Sequence, residues 1–98
     1  MTEAVLRRVQ SAIARGEYDL TFHAVEEMAE DGLDVLDLEA AVSDGDLIRI
    51  QSDDPRGPRL TVVGYAMDRV TRVGVVGRFT ETGVFLVVTV FGVAGREE

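Results

Sequence analysis

The 98 residues carry 18 acidic side chains against 10 basic ones, every one of the latter arginine, for a formal net charge of −8, with 46% apolar residues and no cysteine. That describes one globular domain with a single hydrophobic core, and it excludes disulfides and thiolate metal sites. The acid excess argues against indiscriminate nucleic-acid binding, which needs cations facing phosphate.

Thr2 can cap a first helix running to about Arg15, with Val5, Leu6, Val9 and Ile13 on one face and Gly16 as its stop. Glu17–Leu20 reads as a short link. The stretch Thr21–Leu33, TFHAVEEMAEDGL, has the strongest local signals in the chain. Thr21 is a good N-cap, and Leu20 and Val25 have hydrophobic-staple spacing. Phe22, Val25, Met28 and Ala29 form one apolar stripe, while Glu26, Glu27, Glu30 and Asp31 form a solvated acidic face. Gly32 ends the helix where a left-handed residue is wanted, and Leu33 can fold back onto Met28. His23, the one histidine, falls in the first turn. It reads either as a general acid/base or as a helix-start histidine that bonds a backbone carbonyl or packs on the sheet. Asp34 can cap a third helix with Asp37 at the capping-box position and Val35, Leu38 and Val42 on its apolar side.

Past the turn Ser43-Asp44-Gly45-Asp46 the hydrophobic period changes from 3.6 to 2. Strands are expected at Leu47–Gln51, Arg59–Met67, Arg72–Phe79 and Val84–Phe91, separated by the polar loop 52–58, the turn Asp68–Thr71 and the hairpin loop Thr80–Gly83. Residues 92–98 read as a flexible tail. The expected fold class is α+β in one domain, 1–98, with three N-terminal helices packed on one face of a four-stranded antiparallel sheet. Gly64, Gly74 and Gly77 inside strands suggest bulges or close helix approach, and no phosphate-binding glycine loop is present.

If the helices cover Ile48, Ile50, Leu60, Val62, Val73, Val75, Leu86, Val88 and Val90, the other face carries Arg49, Arg59, Thr61, Tyr65, Arg72, Arg78, Phe85, Val87, Thr89 and Phe91. Such a face suits an RNA or anion platform, a subunit interface, or a surface covered by the tail. The acid is elsewhere: residues 1–46 hold 12 acidic side chains and 3 arginines, and residues 47–98 hold 6 and 7. The longest mainly apolar run, Val84–Ala94, is too short to cross a bilayer, and Met1–Ala14 lacks an export-signal layout. A cytoplasmic protein with no membrane partner, no cofactor and no metal is expected. Its partner is expected to be a second copy or another protein on the strand-rich half.

His23-Ala24 with Met28 and Gly32-Leu33, then Gly57-Pro58-Arg59-Leu60, then Val88-Thr89-Val90-Phe91 occur in an order that resembles the small bacterial family called domain of unknown function 4258. The resemblance covers residues 20–91, and the family pattern reads HAxxRMxxRGI, G-P-R-φ and TVY. That family is thought to be similar to RelE-like ribonuclease toxins of toxin–antitoxin pairs, often encoded beside a zinc-finger antitoxin. The resemblance implies a RelE-like fold and metal-independent RNA cleavage, with His23 as acid/base, Arg59 on the phosphate, Thr89 retained beside them, and an antitoxin as partner. Glu27 and Asp31 stand where the pattern has arginines, and Phe91 where it has tyrosine. Carboxylates beside His23 repel a polyanion and a phenyl ring supplies no proton, so cleavage is expected to be weak or lost. The alternative is a non-catalytic interaction domain.

Overall fold

The computed structural model describes residues 2–93. Its elements are α1 (Thr2–Ala14), β1 (Tyr18–Leu20), α2 (Phe22–Glu30), α3 (Val35–Ser43), β2 (Asp46–Gln51), β3 (Arg59–Tyr65), β4 (Arg72–Phe79) and β5 (Phe85–Gly92).

Local chemistry sets the helix ends. The Thr21 hydroxyl accepts from the Ala24 amide, and Asp34 with Asp37 closes a full capping box. Both α1 and α2 stop in the same way. Gly16 and Gly32 take φ of 73° and 68°, and the paired bonds Gly16 N to Ile13 O with Glu17 N to Ala12 O, and Gly32 N to Ala29 O with Leu33 N to Met28 O, satisfy the last carbonyls. The apolar stripe of α2 is not the expected one. Ala24 and Met28 are buried, whereas Phe22 is 78% exposed and Val25 is exposed as well. α2 packs on β5 and turns Ala24 and Met28 toward the core.

The sheet corrects the expected four-stranded antiparallel architecture. It has five strands in the order β1-β5-β4-β3-β2, and β1 pairs with β5 in parallel. Tyr18, Asp19 and Leu20 lie opposite Phe85, Leu86 and Val87, and Phe85 N donates to Glu17 O. A three-residue strand is too short for alternation to stand out in sequence, so the link concealed it. The other pairs are antiparallel.

Two register shifts decide which side chains face the helices. One lies at Ile48 between Leu47 and Arg49, and the other opposite Val76/Gly77, where Val88 is the extra residue of β5. Phe85 and Val87 therefore face inward at 0% exposure, and Val90 faces inward beyond the bulge. The expected placement of Phe85 and Val87 on the open face is overturned, because uninterrupted alternation from Val90 backward assigned them to the wrong side. The core joins Val9, Ile13, Met28, Leu38 and Val42 of the helices to Leu60, Val62, Val73, Val75, Phe85, Val87 and Val90 of the sheet. Each large side chain buried here contributes about 1.5–3 kcal/mol. Val63 is also buried but lies outside that cluster, as a residue of the opposite face should.

The strand glycines serve close approach. A Cβ at Gly64 would strike the backbone carbonyl of Ala41, so α3 rests directly on β3. A Cβ at Gly77 would lie 2.6 Å from the Phe85 ring, and one at Gly74 would strike the Phe91 ring. The two glycines receive rings on opposite faces of β4. At the end of the domain, Gly92 closes β5 and Val93 N donates to Arg72 O. The rest of the expected tail lies outside the described residues.

Candidate functional site

Three of the residues singled out from sequence divide into two places. His23 is 64% exposed in the first turn of α2, and its Nε2 lies 3.2 Å from Glu27 Oε2 one turn later. Among the described residues no other charged partner is near it. The second Glu27 oxygen, Oε1, accepts from the Val90 amide at 3.0 Å. The reason lies in the sheet. β1 covers β5 only from Phe85 to Val87, and the Thr21 amide and hydroxyl donate to the carbonyls of Val87 and Val88. Beyond that point β5 has a bare edge, and Glu27 supplies its acceptor. Glu27 is thus both the partner of His23 and part of the strand edge, rather than one of a solvated acidic row.

Arg59 and Thr89 lie on the open face of the sheet, the one opposite the helices. The ladder sets Arg49, Thr61, Val76 and Thr89 in one row across β2, β3, β4 and β5. Continued one residue past the pair Leu60–Gly77, the β3–β4 register sets Arg59 level with Arg78; Gln51 lies opposite Arg59 and Leu86 opposite Arg78. On the opposite side of the Thr89 row come Val63, Gly74 and Phe91, and then Tyr65 with Arg72. From strand spacing, the backbones of Arg59 and Thr89 are about 12 Å apart. β5 and β4 both lie between His23 and Arg59. No hydrogen bond or ion pair links His23, Arg59 and Thr89 with one another among the described residues.

The charge on the open face is little compensated. Arg49, Arg59, Arg72 and Arg78 have no ion-pair partner among the described residues, although acidic side chains outnumber basic ones in the chain. The Nε of Arg59 is buried without a hydrogen-bond partner, an arrangement that costs free energy until an acceptor arrives. One carboxylate does approach this corner. Loop 52–58 folds so that Asp54 Oδ1 accepts from the Arg56 amide at 2.9 Å and its carboxylate forks onto the guanidinium at 3.1 and 3.0 Å. The hydrogen bonds from Arg56, with a smaller contribution from the Arg78 charge, hold the Asp54 carboxyl down at about 2. Sequence reading missed this clasp, although the Asp-Pro-Arg-Gly turn was its signal. The role of Glu27 had no sequence signal, since its partner is 63 residues away.

A second feature is an apolar groove between α1 and the outer strands, lined by Val5, Arg8, Ile50, Pro58, Leu60 and Phe79. Arg8 lies over the Phe79 ring, 3.7 Å from its centre. Among the described residues no group of His, Cys, Asp and Glu could hold a metal ion, and no helix is long and apolar enough to cross a membrane.

The profile of a family described as domain of unknown function (DUF4258) matches residues 20–92. No curated protein and no solved structure matches.

Proposed function

The chain belongs to the DUF4258 family, and we propose that within it this protein is an RNA-binding relative of RelE-like toxin ribonucleases that has kept the affinity and lost most of the cleavage. The observation that carries the reading is the open sheet face, where four arginines have no ion-pair partner among the described residues of an otherwise acidic protein. Phosphate contacts of this kind supply sequence-independent affinity.

Cleavage through the ribose 2′-hydroxyl needs a proton acceptor, a proton donor and a cation around one phosphate. Arg59 and Arg78 can serve as the cation. His23 is on the far side of β5, held to a carboxylate that is itself committed to the strand edge, and Phe91 has no proton to give. Thr89, two strands from Arg59, can donate a hydrogen bond to a backbone oxygen but is no acid at neutral pH. The proposed protein acts in the cytoplasm and needs neither metal nor cofactor. A purified sample assayed on labelled single-stranded RNA should bind with an affinity that falls as salt rises and should cleave near background. His23→Ala should leave both unchanged, and the double change Arg59→Ala with Arg78→Ala should abolish binding. Robust cleavage lost in His23→Ala would overturn the weakened-enzyme reading. Absence of salt-dependent binding would overturn the RNA reading.

The apolar groove favours a second reading, a partner-binding domain. It opens beside the free edge of β2, where Ile48 and Ile50 are exposed. A free strand edge beside an apolar groove can accept an added strand from a second copy or from an antitoxin-like protein. Sedimentation of the same sample, strictly monomeric at high concentration, would remove the second-copy version.

A further inference from the structure

We infer that the Phe91 end of the open sheet face is a stacking site for a base of a single-stranded oligonucleotide, with phosphates taken by Arg72 on one side and by Arg59 and Arg78 on the other. The inference rests on the RNA reading above and goes beyond it in naming how the strand is held.

Arg72 opens β4 and Arg78 is its penultimate residue. Six steps along the strand set them about 20 Å apart, enough for a few nucleotides of extended chain. Between them the face is uncharged across β3, β4 and β5, with Arg49 and Asp46 at the β2 ends of its rows. Val76, Thr61 and Thr89 form its middle row, and Val63, Gly74 and Phe91 the next. The far edge of the Phe91 ring seats over Gly74, where a Cβ would lie 2.6 Å from both ε-carbons. That seat fixes the ring, so little conformational entropy remains to be lost when a base docks on it. The residue is nonetheless 36% exposed, so one face of the ring is open to a ligand. Tyr65 is exposed on the neighbouring row beside Arg72.

An uncharged aromatic strip between arginines suits a nucleic acid whose bases are unpaired. A duplex keeps its base faces stacked on one another and would leave the ring without a partner. Among the described residues the carboxylates facing the strip are few. Asp46 ends the Phe91 row on β2, and Asp54 is already clasped by Arg56.

The test uses the full chain with two fluorescein-labelled probes, an oligouridine and a ribose-phosphate strand of the same length that lacks bases. Phe91→Ala should weaken oligouridine binding about five- to hundredfold, the worth of one stacked base, and leave the abasic strand unchanged. The chain has no tryptophan, so Phe91→Trp introduces one indole at the site, excited apart from the tyrosines. Its fluorescence should be quenched saturably by oligouridine and not by the abasic strand. Wild-type binding that depends on salt but is indifferent to Phe91→Ala, with an unquenched Phe91→Trp, would overturn the stacking site and leave the arginine face standing. Failure of the wild type to bind either probe would overturn the RNA reading itself, and the inference with it.

Discussion

Replacing Glu27 with arginine restores the residue type of the HAxxRM pattern, and the structure predicts that it will destabilise the domain. The carboxylate accepts the Val90 amide at 3.0 Å, and Val90 is 1% exposed at the unpaired edge of β5. Arginine offers only donors, so the amide loses its acceptor. Leaving a largely buried amide unpaired costs about 1–3 kcal/mol. The accompanying loss of the His23 contact adds less than about 1 kcal/mol, because that histidine is mostly in solvent. Water can reach the edge in part, so about 1–2 kcal/mol is the expected total, or a fall in Tm of roughly 4–16 °C for a domain of this size. Glu27→Gln keeps a carbonyl acceptor and should cost less than half as much. Thermal melts of the three proteins, with hydrogen exchange followed at the Val90 amide, give the answer. Exchange at Val90 should accelerate in Glu27→Arg and stay near wild type in Glu27→Gln. If Glu27→Arg melts with the wild type and Val90 keeps its protection, the carboxylate does not hold the strand edge and the reasoning fails.

Two further outcomes follow from the fold. Gly64→Ala drives a Cβ into the Ala41 carbonyl and to 3.0 Å from Gly45 Cα, all backbone, so α3 must lift from β3. A loss of about 3 kcal/mol or more is expected, at the upper end for overpacking, against about 1–2 kcal/mol for Gly16→Ala, where the space is open and only the left-handed conformation is penalised; urea unfolding of both variants checks the order. Burial, helped by the hydrogen bond and the charge of Glu39, pushes the Tyr18 hydroxyl up from 10.0 to about 12. The stabilisation this represents should be complete below pH 10 and be lost as the pH rises through about 12, since the unfolded chain ionises first; a pH series of urea midpoints that Tyr18→Phe does not flatten in that window would refute it.

The amino-acid sequence by itself determined the elements whose cause is local. Thr21 and the Asp34–Asp37 pair start α2 and α3 by bonds spanning three residues. Gly16 and Gly32 end α1 and α2 because a glycine accepts positive φ, and the change of hydrophobic period near residue 46 separates helices from the main strands. The arginine-bearing face was also legible, because β3 and β4 alternate without interruption. Only the tertiary structure decided the rest. β1 is a strand because β5 lies beside it, and three residues of sequence carry no period that could announce this. The bulge at Val88 reverses the sense of β5, so that Phe85 and Val87 became core and Phe91 stayed outside; a one-residue slip changes every side from that point on. Glu27 looked like part of a solvated row, and its partner is an amide distant in sequence. Local propensity acts within a turn of chain, whereas strand edges, bulges and unpaired amides exist only once distant segments have met, and in this protein they turn Phe85 and Val87 into the core and tie Glu27 to Val90.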